Sequence, residues 1–274
     1  MIRILSVTLH RFFRTGYMQR IIILLIAVFV PSFLALKGRS TDNVTCGPTV
    51  STPAMVCSSL YREMRLEGVV NKEAFRQAVT GYLKIEGRKK DILTLIDFSK
   101  PSTEKRLYVF DMKKKTMLFS SVVSHGKNSG GKYATSFSNE NGSLKSSLGF
   151  YLTDTPYSGR NGYSLILDGL EKGINDRARE RAIVVHGAAY ADPSVAQASG
   201  RLGRSFGCPA VPRNLTRPLI DTIKGGSVIF IYAESPEYLA HSSILNDDRI
   251  GRVYINGKLT SGKDTSSLLS RVSL

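Results

Sequence analysis

Five short, mainly apolar runs constrain the fold of this chain more than any other feature of its sequence. Each is at most nine residues long, and they cover 92–98, 106–112, 116–124, 182–185 and 227–232. Runs of this length and composition predict strands, and the run 92–98 in particular predicts a buried one. The intervening segments 126–147 and 187–207 are rich in Gly and Ser, and loops this long in a compact domain are usually functional. The pattern indicates a mainly β protein of the α+β class.

One segment before the first of these runs has helical spacing instead. Asn71 is suited to cap a helix, Glu73 would lie in its first turn, and we expect the helix to end at Gly81 or Gly87. The apolar residues that recur at helical spacing are Phe75, Ala78, Val79 and Tyr82. We therefore divide the chain into an N-terminal segment, a linker, a helical extension, a β domain and a C-terminal tail, at 1–40, 41–57, 58–90, 91–234 and 235–274.

The N-terminal segment has the pattern of an export signal. Basic residues up to Arg20 precede the apolar run 21–36, which only Pro31 and Ser32 interrupt. The basic residues place the rest of the chain outside the cytoplasm, so we expect the protein in the periplasm or cell envelope. The run spans 16 residues, fewer than the roughly 20 that cross a bilayer. A cleaved signal peptide and an uncleaved inner-membrane anchor through 21–36 therefore both stay open.

The formal net charge of +16 suggests an anionic partner. The basic residues are scattered, and the sequence has neither a basic helix with interleaved aromatic residues nor zinc-finger spacing. We therefore expect no nucleic acid partner. A membrane surface or an anionic wall polymer fits the charge equally well.

Three cysteines, Cys46, Cys57 and Cys208, leave one thiol unpaired in an oxidising compartment. Cys46 and Cys57 are close enough in sequence to pair, which makes Cys208 the candidate for a free, reactive thiol. Three inert thiols are the alternative. The spacing of the histidines and cysteines does not fit a metal site, and we expect neither a metal nor another cofactor.

The sequence around Cys208 suits a nucleophile. Gly207 lets the chain turn sharply, so that its amide and that of Cys208 can converge on an oxyanion. Pro209 follows and stiffens the turn. A structural Gly-Cys-Pro turn is the alternative interpretation of these residues.

His186 is the best candidate for the base that a cysteine nucleophile needs. It directly follows the apolar run 182–185, and the loop after it leads to Cys208. A structural histidine at the end of a strand is the alternative, and His125 is the main competitor for the role.

The stretches 184–188 and 205–208 read Val-Val-His-Gly-Ala and Ser-Phe-Gly-Cys. Together they resemble the YkuD-type L,D-transpeptidase catalytic domain, and most closely its variant branch, the murein L,D-transpeptidase catalytic domain family. Four further stretches are similar to that branch in the same order, at 124–130, 147–151, 162–165 and 203–205. The resemblance covers residues 91–232 and implies a mixed β-sandwich with the site at one rim of the sheet.

The resemblance also implies a reaction and roles for single residues. Cys208 would be the acylated nucleophile and His186 its general base, oriented by the backbone carbonyl of Gly187, while the amides of Gly207 and Cys208 would form the oxyanion hole. The substrate would be a diaminopimelate-containing tetrapeptide stem of peptidoglycan, which loses D-Ala and passes its acyl group to a second stem. An L,D-carboxypeptidase with the same site and a non-catalytic wall-binding module are the alternatives.

This chain departs from the main family at Phe206, where many members carry a second histidine, and after the cysteine, where many carry Arg or Asn. Substrate contacts must therefore come from elsewhere. The candidates are Arg204, Ser205, Tyr190 and His125. Their alternative roles are a salt bridge for Arg204, a hydrogen bond within the loop for Ser205, packing for Tyr190 and a structural role for His125.

Overall fold

One eight-stranded mixed sheet organises the part of the chain that the computed structural model describes, residues 53–247, 254–255 and 258–259. Its strands are β1 (Ile92–Asp97), β2 (Leu107–Asp111), β3 (Thr116–Ser121), β4 (Gly149–Gly159), β5 (Gly162–Gly169), β6 (Val184–Gly187), β7 (Ala210–Val211) and β8 (Val228–Tyr232). They lie in the order β3-β2-β1-β8-β4-β5-β6-β7. A separate antiparallel pair consists of β9 (Tyr254–Ile255) and β10 (Lys258–Leu259). The predicted mainly β, α+β class is confirmed.

Five α-helices accompany the sheet in the described part of the chain: α1 (Pro53–Glu63), α2 (Lys72–Lys84), α3 (Pro193–Ser199), α4 (Arg213–Ile223) and α5 (Pro236–His241). The predicted cap is confirmed, because the Asn71 side chain accepts hydrogen bonds from the amides of Glu73 and Ala74. Helix α1 begins at Pro53, inside the segment expected to be a linker.

The expected end of α2 at Gly81 or Gly87 is wrong, because the helix continues through Gly81 to Lys84. A methyl group at position 81 would overlap the ring of Phe150 on β4. Gly81 therefore allows the helix to approach the sheet closely and does not mark the end of the helix.

Two of the helices pack on strands of the sheet. Helix α2 packs on β1 and β8, and α4 packs on β5 and β6. Strand β8 lies in the middle of the sheet, parallel to β1 and antiparallel to β4, and all five of its residues are buried. The rings of Phe150 and Phe230 stack at the centre of this core with centroids 4.2 Å apart.

The two edges of the sheet meet, because the chain after β3 pairs with the chain around β7. The amide of Ser124 donates to the carbonyl of Ala210 at 2.8 Å, and Gly126 forms a parallel bridge with Ser205. The sheet is thereby closed like a barrel. This closure brings the loop from β3 to β4 beside the turn that carries Cys208.

The described residues all belong to one compact unit. Within the described ranges, no helix combines the length and the hydropathy needed to cross a membrane. The apolar run 21–36 and Cys46 lie outside those ranges, so export, anchoring and the pairing of Cys46 with Cys57 stay predictions. Cys57 itself is buried, and its sulfur lies 3.6 Å from the carbonyl oxygen of Arg76.

Candidate active site

Cys208 lies directly before β7, and its sulfur faces the start of β6. The Val184 amide donates a hydrogen bond to Sγ at 3.5 Å, and the thiol donates to the carbonyl of Ala182 at 3.6 Å. Burial raises the pKa of this partly buried thiol, while the Val184 amide and the positive charge of Arg181 oppose the rise. At neutral pH the sulfur is therefore a thiol that needs a base.

His186 stands on β6, next to the strand that follows Cys208. Strands β6 and β7 are parallel, and His186 pairs with Ala210, two residues after the cysteine. The ring atom Nδ1 lies 3.1 Å from the carbonyl oxygen of Gly187. Because a carbonyl only accepts, Nδ1 carries the hydrogen and Nε2 keeps its lone pair.

The protonation state of His186 also suits a base. Burial lowers the pKa of the imidazole, and the Gly187 carbonyl only partly offsets this effect. A glycine is needed at position 187, because a side chain there would overlap the hydroxyl of Thr216 on α4. The structure thus presents a neutral imidazole, held from behind by a backbone carbonyl.

The hydrogen bonds of the Cys208 sulfur go to the backbone of Ala182 and Val184 and not to the His186 ring. The two residues nevertheless lie on neighbouring segments of the chain, since His186 is in register with Ala210, two residues after Cys208. Rotation about the Cα–Cβ bond of Cys208 changes the direction of the sulfur without moving the backbone. Catalytic hydrogen bonds are often unformed before substrate binds.

The turn before Cys208 is held by its own hydroxyl groups. Ser205 Oγ donates to the Cys208 carbonyl at 2.6 Å and accepts from the Gly207 amide at 3.1 Å, while Ser146 Oγ donates to the Gly207 carbonyl at 2.9 Å. Gly207 has a φ of 129°, which only glycine adopts readily. Because its amide is engaged, the oxyanion role predicted for Gly207 would require release of Ser205. The Cys208 amide lies beside its own sulfur.

Two of the predicted substrate-binding residues are occupied within the protein. Arg204 Nη1 donates to the carbonyls of Lys127 and Gly130 at 3.0 and 2.9 Å, and Ser205 holds the turn. Both residues therefore tie the Cys208 turn to itself and to the loop after His125.

Tyr190 lies beside Cys208 and is half-buried. Its side chain packs on Ala188, Ala191 and Ala210, and a side chain at Gly203 would overlap it. Burial, with a smaller contribution from Cys208, raises the pKa of Tyr190 to about 12. Its hydroxyl therefore stays protonated and can donate a hydrogen bond near the sulfur.

His125 is fully buried, away from solvent. Arg106 Nη2 donates to its Nδ1 at 2.8 Å, and the ring stands edge-on to Phe98. Burial and the charge of Arg106 lower the pKa of His125 to about 4. These contacts match the structural role that was the alternative for this residue.

Sequence reasoning missed two exposed groups beside the cysteine. The ring of Phe206 is 69% exposed, and Lys127 Nζ lies 4.9 Å from its centroid. Phe206 was visible in the sequence only as a departure from the family. Lys127 could not be placed near it, because the bridge between Gly126 and Ser205 that brings them together forms only in the folded sheet.

The chemistry available at this site is that of a thiol and an imidazole. The described residues contain no group of three or more His, Cys, Asp or Glu side chains arranged to hold a metal ion. A cavity of about 890 Å³ lies between residues 133–139 and α5, and neither Cys208 nor His186 lines it.

A search of curated proteins finds no match. The solved structures similar to this chain include L,D-transpeptidases from Mycobacterium smegmatis, Mycobacterium tuberculosis H37Rv and Stackebrandtia nassauensis. For Mycobacterium smegmatis the identity is 14% over 52% of this chain and 59% of that one, with a TM-score of 0.32. For Mycobacterium tuberculosis H37Rv the identity is 14% over 52% of this chain and 58% of that one, with a TM-score of 0.29. For Stackebrandtia nassauensis the identity is 11% over 73% of this chain and 99% of that one, with a TM-score of 0.31. The chain thus spans less than two thirds of the length of the two mycobacterial proteins.

A comparison with protein-family models gives a match over residues 66–232, which is more than half of the chain. The matching model is that of the L,D-transpeptidase catalytic domain. It includes α2, every strand of the eight-stranded sheet, and both Cys208 and His186. This chain belongs to the L,D-transpeptidase catalytic domain family.

Proposed function

We propose that this protein is a peptidoglycan L,D-transpeptidase of the cell envelope, with Cys208 as its acylated nucleophile. The observation that carries the proposal is the state of His186. Its neutral ring, with the lone pair on Nε2, stands on the strand next to the turn of a partly buried thiol. A neutral base beside a thiol that is protonated at neutral pH is suited to general-base catalysis.

In the first half of the reaction, Nε2 of His186 takes the thiol proton as Sγ attacks a peptide carbonyl of the donor stem. The attacked bond joins the L-centre of diaminopimelate to D-Ala. A thioester forms, the C–N bond breaks, and D-Ala leaves with the proton that His186 carried. The amides of Val184 and Cys208 both interact with the sulfur, and we assign the oxyanion role to that of Cys208.

In the second half, the amine of a second stem attacks the thioester and forms a 3→3 cross-link. His186 takes a proton from the amine, and the sulfur leaves and recovers its proton. Attack by water instead would give an L,D-carboxypeptidase.

Substrate contacts in this proposal come from groups that the fold leaves available beside the sulfur. The hydroxyl of Tyr190 stays protonated there. Lys127 and the exposed ring of Phe206 offer a cation and an apolar surface, which suits a stem peptide that carries carboxylates and aliphatic chains. Arg204 and Ser205 act indirectly, by holding the turn.

The test is the intact mass of the protein after incubation with a carbapenem, which acylates a reactive thiol at the site. We expect the wild type to gain one carbapenem and Cys208→Ala to gain none. Cys57→Ala is the matched control, because that thiol is buried with its pKa raised to about 11, and it should react like the wild type.

Acylation of Cys208→Ala, or no adduct on a folded wild type, would refute the assignment of the nucleophile. Incubation with purified tetrapeptide-stem muropeptides then identifies the product. A cross-linked dimer supports the transpeptidase, a shortened stem alone supports the carboxypeptidase, and neither product points to a wall-binding module.

A further inference from the structure

Arg181 lies at the start of the segment that leads into β6, three residues before Val184. Its guanidinium donates four hydrogen bonds, all to the loop 138–147. The acceptors are the carbonyls of Ser138 (2.8 Å) and Lys145 (2.6 Å) and the hydroxyls of Ser147 (2.6 Å) and Ser143 (3.2 Å). None of these acceptors is charged, and the ion pairs found among the described residues do not include Arg181.

The Cys208 turn lies directly on this cluster. A Cβ built on Gly207 would stand 2.9 Å from the Lys145 carbonyl and 3.5 Å from Arg181 Nη2. The next residue of the loop, Ser146, donates its hydroxyl hydrogen to the Gly207 carbonyl at 2.9 Å. Arg181 therefore holds the loop, and the loop holds the turn.

The residue after Arg181 is strained and also touches the nucleophile. Ala182 has a φ of 52°, in the left-handed region, which residues other than glycine rarely adopt. Its carbonyl accepts the Cys208 thiol hydrogen at 3.6 Å. Strain of this kind concentrates at functional sites.

We propose that Arg181 is a positioning residue that fixes the Cys208 turn through the loop 138–147, and that its uncompensated charge stabilises the Cys208 thiolate. This inference rests on the proposed function, in which that thiolate is the nucleophile. The other titratable groups that interact with Arg181 or Cys208 are Tyr151, which is buried, Tyr190, and Glu140, which is exposed and paired with Arg177. Arg181 is the one cation among the charges that act on Cys208.

The experiment measures alkylation of Cys208 by iodoacetamide across pH in the full chain, with the Cys208 peptide followed by mass spectrometry. We expect Arg181→Met to move the midpoint of alkylation upward by about one pH unit, which is a tenfold smaller thiolate fraction below the midpoint. Arg181→Lys keeps the charge but not the four-way contact. It should keep the midpoint close to that of the wild type and lower kcat on muropeptides about tenfold, with KM little changed.

Arg179→Gln is the matched control. Arg179 lies two residues away, is exposed and pairs with Asp154 and Asp168, so its loss changes the net charge equally and should move neither quantity. If Arg181→Met does not fold, Arg181→Gln gives the same test, because it keeps hydrogen-bond donors without a charge.

If the pH midpoint of alkylation in Arg181→Met and Arg181→Gln equals that of the wild type, the charge of Arg181 does not stabilise the thiolate. If kcat of Arg181→Lys equals that of the wild type, Arg181 does not position the Cys208 turn. The midpoint is measured without substrate. The midpoint therefore tests the effect of Arg181 on the thiol whether or not the proposed function is right. The proposed function is refuted by a different result, namely a Cys208→Ala protein that retains activity.

Discussion

The two buried histidines of the described chain carry their ring hydrogen on different nitrogen atoms, and this difference determines what each ring can do. His186 Nδ1 meets a carbonyl, so it carries the hydrogen and Nε2 has a free lone pair. His125 Nδ1 meets the guanidinium of Arg106, which only donates, so the hydrogen of His125 is on Nε2. The first ring can accept a proton on Nε2, as the proposed function requires. The second holds a buried cation in place.

A pH-dependent stability follows from His125. Its pKa is about 4 in the fold and about 6.5 in an unfolded chain. As the pH falls from about 6.5 towards 4, the unfolded chain takes up a proton that the folded chain excludes, so the free energy of unfolding falls. We expect about 2–3 kcal/mol of this loss between pH 7 and pH 4.5, measured by urea unfolding.

His125→Asn tests the cause of that loss, because the Asn carbonyl can still accept from Arg106 but does not titrate. It should be less stable than the wild type at pH 7 and should lose less stability on acidification. Equal losses in the two proteins would show that the slope has another source.

Single residues also show where sequence reasoning ends. Cys208, His186 and Gly187 could be named because they stand in motifs that resemble a known domain. Arg181 could not, because Arg177, Arg179 and Arg181 look alike in the sequence. In the folded chain, Arg179 pairs with the exposed carboxylates of Asp154 and Asp168, whereas Arg181 binds the loop that contacts the Cys208 turn.

Among the elements, the strands with continuous apolar runs were predictable and the hairpin of β4 and β5 was not. Only the first part of β4 is buried, its outer half is exposed, and a bulge at Thr153–Pro156 breaks its register with β5. A strand that is half in solvent has no apolar run to detect. Helix α4 was also missed, because Pro218 lies inside it, and proline normally argues against a helix interior.

Helix α2 offers a test in which propensity and packing give opposite answers. Alanine is favoured over glycine inside a helix by about 1 kcal/mol. However, a methyl group at Gly81 would overlap the fully buried Phe150 ring, and overpacking costs about 1–3 kcal/mol. Because Phe150 is stacked on Phe230 and cannot retreat easily, we expect Gly81→Ala to be destabilising in urea unfolding.

Gly131→Ala is the control for this substitution, because nothing lies within 4 Å of a Cβ at that position. It should change the free energy of unfolding by less than about 0.5 kcal/mol. A Gly81→Ala protein more stable than the wild type would show that helix propensity outweighs the contact.

At the scale of the whole molecule, the order of strands in space differs from their order in the chain. The last strand of the sheet, β8, pairs with β1 on one side and β4 on the other. Without it the sheet would be open between β1 and β4, and both of those strands would have an unpaired edge. Closure through Ser124 and Ala210 joins the remaining edges, so the site depends on pairings between distant parts of the chain.

Truncation tests this dependence. A chain that ends at residue 226, before β8, should lack cooperative unfolding and aggregate. A chain that ends at residue 247 keeps the complete sheet and α5, and should unfold cooperatively, as judged by circular dichroism. A soluble, cooperatively folded product of the shorter chain would show that β8 is dispensable.

The central place of β8 has a consequence for the timing of activity. During synthesis, Cys208 is added to the chain about twenty residues before β8, the strand that completes the sheet. Until then the thiol has no assembled surroundings, and an unfinished polypeptide cannot act as an acyl carrier. The surroundings of Cys208 are therefore complete only once β8 has joined β1 and β4.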